Sequence, residues 1–162
     1  MLHSAVQSLI PATKLEAVEK ALQTAFQTTH MEDITLLTGG LSTALVYKIT
    51  VSGRPYVLRL AMQTDAFRDP ARYFTCINIA AGAGITPAVH YSSVEDALSI
   101  TDFIDAVPLR GNFASADELL ATLAGVVRSL HATPLFPKLI HYLDGIDMLI
   151  AQFHSLHILP ES

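Results

Sequence analysis

Hydrophobic positions near the start of the chain recur with the period of a helix. The apolar residues that fall on one helical face are Leu15, Val18, Leu22, Ala25 and Phe26. This spacing predicts an amphipathic helix over residues 14–27. Thr13 is followed by Glu16 three residues later, and this pairing predicts a capping box in which Thr13 is the N-cap.

The pattern then changes to short runs of apolar, β-branched and aromatic residues, which are typical of strands. These runs predict strands at residues 34–38, 44–51, 56–61, 88–92 and 98–104. Between the third and fourth strands, Pro70 suits the first turn of a helix over residues 70–82, and Gly84 and Pro87 mark its end. The order of elements predicts a five-stranded antiparallel sheet with one inserted helix, an α+β fold.

Helical spacing returns in the last third of the chain. Residues 105–113 are predicted to be a linker. Ser115 and Glu118 predict a second capping box, at the start of an amphipathic helix that ends near His131. A last helix is predicted over residues 139–155.

Composition and charge narrow the class of protein. Of 162 residues, 51% are hydrophobic and only 15% are charged, whereas a typical soluble domain has about 25% charged residues. The chain therefore has either an unusually apolar core or a face that another surface covers. The net charge of −5 argues against a nucleic-acid partner, because such proteins need a basic stripe.

Features that report on location favour the cytoplasm. The single cysteine, Cys76, excludes an intrachain disulfide and fits a reducing compartment. Residues 1–12 have no basic segment followed by an apolar run, so no signal peptide is predicted. Lys138, Asp144 and Asp147 interrupt the last apolar stretch before it reaches the roughly 20 residues of a membrane span, so no membrane partner is predicted.

A glycine-rich segment between the first two strands is the strongest candidate for chemistry. It reads Gly39-Gly40-Leu41-Ser42-Thr43, and Arg59 lies on the strand after the next turn. Glycines let backbone N–H groups approach a phosphate closely, and a fixed cation offsets its charge. Strands flank this turn on both sides, unlike the turn of a P-loop, which opens a helix. The alternative is an ordinary hairpin turn.

Four stretches give the chain a family resemblance. They are Gly39-Gly40-Leu41-Ser42, Tyr56-Val57-Leu58-Arg59-Leu60, Ala83-Gly84-Ile85-Thr86-Pro87 and Leu130-His131. In this order and at similar spacing they resemble the aminoglycoside phosphotransferase and choline kinase-like family. The resemblance implies a protein-kinase-like N-lobe over residues 1–104, followed over residues 105–162 by a linker and the first helices of a C-lobe.

The resemblance also implies a nucleotide site. The turn Gly39, Gly40, Leu41, Ser42 and Thr43 would cover the phosphates of ATP, and Arg59 would replace the strand lysine of kinases. Asp102, Phe103 and Ile104 would form the hinge that contacts adenine. The alternatives are that Arg59 is a surface cation at a strand edge and that residues 102–104 are an ordinary strand end.

The sequence departs from the family pattern in two ways. The family's inserted helix carries a glutamate that pairs with the strand cation, but residues 70–82 contain no acidic residue, and Asp65 or Asp69 would have to substitute. No His-x-Asp followed by an Asn occurs, so no catalytic residue is assigned. We therefore expect the N-terminal portion of a small-molecule phosphotransferase, truncated before its catalytic loop, with weak ATP binding and magnesium expected only in a longer parent.

Other functions remain open at this point. A non-catalytic, pseudokinase-like interaction module would keep the fold and bury its apolar face against a partner. The apolar helices over residues 119–155 predict a homodimer, unless the last helix folds back and closes the core of a monomer. His154 and His157 share a helical spacing, but no further ligand completes a set, so no metal site is predicted.

Overall fold

The computed structural model describes residues 8–39, 43–65, 68–109, 111–138 and 141–156. Within these ranges the strands are β1 (Asp33–Leu36), β2 (Leu45–Val51), β3 (Arg54–Leu60), β4 (Val89–Ser93) and β5 (Leu98–Asp102). The α-helices of the same ranges are α1 (Leu15–Phe26), α2 (Pro70–Gly82), α3 (Ala116–His131) and α4 (Tyr142–Ser155). A short 3-10 turn, Ala12–Lys14, precedes α1.

The strands form one antiparallel sheet in the order β1-β2-β3-β5-β4. The α+β prediction, with α2 inserted between β3 and β4, is confirmed. Strand ends differ from the predicted bounds: β3 begins at Arg54 because the turn before it is confined to Ser52 and Gly53, and β5 ends at Asp102 instead of Ile104.

Alternation along the strands divides the sheet into two faces. One face packs on α1 and forms a hydrophobic core. The buried members of that core are Ile10, Val18, Ala21, Leu22, Met31, Ile34, Tyr47, Ile49, Val51, Tyr56, Leu58, Leu60, Leu98 and Ile100. The opposite face, here called the Arg59 face, carries Val46, Lys48, Val57, Arg59, Ser99 and Thr101, because these positions pair across β2, β3 and β5. Val46 and Ser99 lie directly opposite Arg59 on either side.

The start of α1 corrects the sequence prediction. Thr13 is not its N-cap: the N–H of Lys14 donates to the carbonyl of Pro11 at 2.8 Å, which makes the first turn a 3-10 turn with Thr13 inside it. The α-helix then begins at Leu15, and no side chain caps it. The carbonyl of Pro11 accepts a hydrogen bond from the residue three positions later, as in a 3-10 turn, and not four positions later. The α-helix therefore begins one residue after the predicted start.

The helix α2 has the predicted bounds, and each end has a local cause. Asp69 is the N-cap and accepts the N–H of Ala71 at 2.9 Å, while Pro70 occupies the first turn. At the other end, the N–H of Ile85 donates to the carbonyl of Ala80 at 3.0 Å. Phe74 of this helix is buried, and Asn78 Nδ2 donates to Ser92 Oγ of β4 at 3.1 Å.

The last two helices stand apart from this core. The capping box of α3 is confirmed in outline: Ser115 Oγ accepts the N–H of Glu118 at 3.2 Å, and Glu118 Oε2 accepts the N–H of Ala114 at 2.7 Å. The helix α4 begins at Tyr142, after the non-helical His141, and the predicted start at residue 139 lies outside the described residues. Neither helix contributes a described residue to the hydrophobic core. None of the helices in the described ranges combines the length and the apolar character that crossing a bilayer requires.

Candidate functional site

A cavity of about 540 Å³ lies between β3, the loop after it and the start of α2. The described residues that line it are Thr43, Ala44, Arg59, Ala61, Gln63, Arg68, Asp69, Pro70, Arg72, Tyr73 and Cys76. Three of them are arginines, so the cavity presents a concentration of positive charge on a protein whose net charge is −5. Such a cavity suits an anionic ligand.

The strand cation Arg59 projects from the sheet into this cavity. Its Cζ lies 4.2 Å from the centre of the Tyr73 ring, within the range of a cation–π contact. Tyr73 is in the first turn of α2, where its N–H donates to the carbonyl of Asp69 at 3.1 Å. An aromatic ring on α2, and not a carboxylate, therefore holds the cation.

The two acidic residues considered as substitutes for a helix glutamate have other partners. Asp65 Oδ2 lies 2.6 Å from Arg68 Nη2, and Asp69 caps α2. No salt bridge within the described part of the chain involves Arg59.

Arg68 and Arg72 are site residues that the sequence analysis missed. Arg68 Nη1 donates to Gln63 Oε1 and makes a longer contact of 3.4 Å with Thr43 Oγ1. It thereby joins the loop before α2 to the end of the glycine-rich segment. The available signal was the pair of arginines on either side of Asp69 and Pro70. Arginines that flank a helix start add their charge to the positive end of the helix, and together these groups attract an anion.

The end of the glycine-rich segment borders the same cavity. Gly39 has φ +96°, a conformation that L side chains rarely adopt, and Thr43 lines the cavity. Gly40, Leu41 and Ser42 lie outside the described residues.

The predicted hinge residues lie beside a second cavity, of about 480 Å³, which Asp102, Phe103 and Ile104 line together with His90. The side chain of Asp102 is on the core side of the sheet, with Oδ1 2.7 Å from His90 Nε2, and its N–H donates to the carbonyl of Ala88 at 3.0 Å. The next residue, Phe103, belongs to the opposite face, where Lys48 Nζ lies 4.4 Å from its ring centre.

The Arg59 face therefore carries two cation–aromatic pairs. Arg59 with Tyr73 is at the helix start, and Lys48 with Phe103 is near the strand end. Val46 and Val57 lie on the same face, each opposite one of the two cations in the strand register. This face combines positive groups with apolar and aromatic groups, which suits a ligand that has both an anionic and an apolar part. Among the described residues, no three His, Cys, Asp or Glu side chains come together as a metal site requires.

Comparison with protein families gives one match. The model of the phosphotransferase enzyme family matches residues 33–147, which is more than half of the chain. The chain belongs to the phosphotransferase enzyme family. No curated protein and no solved structure matched it.

The matched region covers the elements that surround the cavity. It begins at β1 and ends inside α4, so it includes the whole sheet, α2, α3 and the cavity around Arg59. The helix α1, which covers the other face of the sheet, precedes the match. The residues that line the cavity and those of the glycine-rich segment therefore lie within the matched region.

Proposed function

We propose that this chain binds the phosphates of ATP in the cavity around Arg59, as the nucleotide-binding portion of a small-molecule phosphotransferase of the choline, thiamine or aminoglycoside type. The observation that carries the proposal is the meeting of Arg59, Arg68 and Arg72 with the end of the glycine-rich segment around one cavity. Guanidinium groups bind phosphate oxygens through paired N–H donors, and backbone N–H groups of the glycine-rich turn would complete the site.

The position of the base follows from the rest of the Arg59 face. In this proposal adenine lies along residues 102–104, next to Phe103 and against Val46 and Val57. The N–H of Asp102 is already donated to Ala88, so the N–H and carbonyl groups of Phe103 and Ile104 are left to contact the base edge. Lys48 over the Phe103 ring would keep that ring in place.

The proposal does not extend to catalysis by this chain alone. Phosphoryl transfer needs an Asp that positions the acceptor hydroxyl, together with an Asn and a second Asp for magnesium. None of the seven histidines starts a His-x-Asp motif here. We therefore expect no phosphate transfer to choline, thiamine or an aminoglycoside by this chain, measured in a coupled assay with ATP and magnesium.

A second candidate function, a non-catalytic interaction module, has two observations in its favour. The helix α2 carries no acidic partner for Arg59, and α3 and α4 expose apolar side chains. A module of this kind would keep the sheet without using the cavity. ATP binding distinguishes the two candidates, because only the first needs Arg59.

Titration with ATP and magnesium tests the proposal. Arg59→Ala should weaken ATP binding about 10- to 100-fold, because a hydrogen bond to a charged group contributes about 1.5–3 kcal/mol. Arg128→Ala removes the same charge from the exposed surface of α3 and should leave the affinity unchanged. Equal affinity of wild type and Arg59→Ala would remove Arg59 from the site and favour the interaction module.

A further inference from the structure

We propose that Tyr73 is the positioning residue for Arg59, holding the guanidinium at the phosphate position through its ring. This inference rests on the proposed function, since it names how the phosphate-binding cation is held. In this chain an aromatic residue of α2 thus holds the strand cation, a role that a glutamate of the same helix has in the family pattern.

The placement of the Tyr73 ring is fixed by its own element. Asp69 caps α2 and accepts the N–H of Ala71, which sets the first turn that contains Tyr73. The neighbouring Phe74 is only 3% exposed and lies edge-on to Tyr73, with ring centres 5.4 Å apart. A buried anchor therefore holds the tyrosine, while the tyrosine itself lines the cavity and faces Arg59 at 4.2 Å.

The chemistry of this contact differs from that of an ion pair. A carboxylate would neutralise the guanidinium and occupy two of its N–H donors. The face of an aromatic ring attracts the cation while the contact itself uses no N–H donor and adds no negative charge. The ring thus orients Arg59 while the guanidinium keeps its positive charge available to bind an anion. The absence of acidic residues from α2 is consistent with this arrangement.

Three variants separate the role of Tyr73 from general effects on the fold. Tyr73→Leu removes the ring, Tyr73→Phe keeps it, and Tyr142→Leu makes the same change at an exposed tyrosine at the start of α4. The first readout needs no nucleotide. The ring current should shift the Arg59 side-chain proton resonances upfield in wild type, Tyr73→Phe and Tyr142→Leu, and this shift should disappear in Tyr73→Leu.

The second readout is binding of ATP and, separately, of inorganic tripolyphosphate. Affinity for both should fall about three- to tenfold in Tyr73→Leu, the range expected when a cation–π contact is lost, and should be kept in Tyr73→Phe and Tyr142→Leu. An Arg59 resonance unchanged in Tyr73→Leu overturns the contact. A lost ring-current shift with unchanged affinities overturns the positioning role.

The two ligands keep this inference distinguishable from the proposed function. If wild type binds tripolyphosphate but not ATP, the nucleotide proposal fails, whereas a Tyr73-dependent affinity for tripolyphosphate still supports the role of Tyr73. If wild type binds neither ligand, both proposals are overturned.

Discussion

At the scale of single residues, Gly53 and Gly82 show that backbone conformation alone can set the sign of a substitution. A Cβ built on either glycine meets no atom within 4 Å, so neither site resists a methyl group by contact. Gly53, however, has φ +72° in the β2–β3 turn, whereas Gly82 ends α2 with an ordinary helical φ.

Opposite effects on stability follow. Gly53→Ala should lower the free energy of unfolding by about 1 kcal/mol, because an L residue is strained at this φ. Gly82→Ala should raise it by up to about 1 kcal/mol, because alanine favours the helix. Denaturant unfolding of both variants measures the two changes. Two changes of the same sign would contradict the explanation from backbone conformation.

Residue identity also explains which part of the site could be predicted from sequence. Glycines next to strands and a cation on the third strand indicated the segment that ends at Thr43 and the strand residue Arg59, and the structure places these two residues around one cavity. Tyr73 escaped notice because an aromatic residue in a helix is usually a core residue, and only coordinates reveal that its ring faces a guanidinium. Arg68 escaped because the loop that carries it has no periodic pattern.

At the scale of elements, predictions succeeded where both ends of an element had local causes. Asp69 and Pro70 begin α2, and the backbone beyond Gly82 closes it, so its bounds were predicted correctly. The predicted N-cap of α1 was wrong, because the residues of the predicted capping box lie partly in a 3-10 turn that Pro11 initiates. The observed strand ends differ from the predicted ones by a few residues. Pairing with the neighbouring strand determines where a strand stops, and the hydrophobic periodicity of the sequence carries no information about that pairing.

One contact between elements makes a pH-dependent contribution. Asp96, in the β4–β5 turn, lies 3.0 Å from Lys20 of α1 and accepts the Ser93 hydroxyl at 2.9 Å. Burial alone would raise the pKa of Asp96, but the hydrogen bonds from Lys20 and Ser93 outweigh it and hold the pKa below the ordinary 3.8. The carboxylate therefore stabilises the fold above the unfolded-state pKa, and this contribution is lost as the pH falls through the lower folded-state pKa.

The expected result is a stability difference that depends on pH. Asp96→Asn should lower the melting temperature by a few degrees at about pH 7, and the difference from wild type should shrink as the pH falls through the lowered folded-state pKa of Asp96, below which neither protein carries the charge. Asp105→Asn removes an exposed carboxylate from the linker and is the matched control. A difference that stays constant with pH would show that the Asp96 charge is not responsible.

At the scale of the whole molecule, apolar residues are unevenly distributed. The sheet and α1 enclose a core whose central side chains are fully buried, such as Leu58 and Ile100. The exposed large apolar residues of the last two helices are Leu120, Leu123, Val126, Val127, Tyr142, Leu143, Met148, Leu149, Ile150 and Phe153. Burying apolar surface contributes roughly 25 cal/mol per Å², so exposure of this many apolar side chains favours association.

We propose that two copies of this chain associate through α3 and α4 as a two-fold dimer. A symmetric interface lets the same apolar surface cover itself, and about 1,000 Å² or more in total is needed for a stable one. A charge placed in that surface must be desolvated on association, so Leu123→Lys and Phe153→Lys should each shift the protein towards the monomer. Val94→Lys places the same charge at an exposed apolar residue of the β4–β5 turn and should leave the oligomeric state unchanged.

Light scattering at several concentrations decides between this dimer and a monomer closed by its own helices. A mass that rises with concentration towards twice the chain mass in wild type and Val94→Lys, but not in Leu123→Lys or Phe153→Lys, would support the interface. A monomer mass for wild type at every concentration would instead mean that the exposed faces of α3 and α4 cover one another in solution. Lysine at Leu123 should then lower the melting temperature, because the charge would enter a contact within one molecule and not between two.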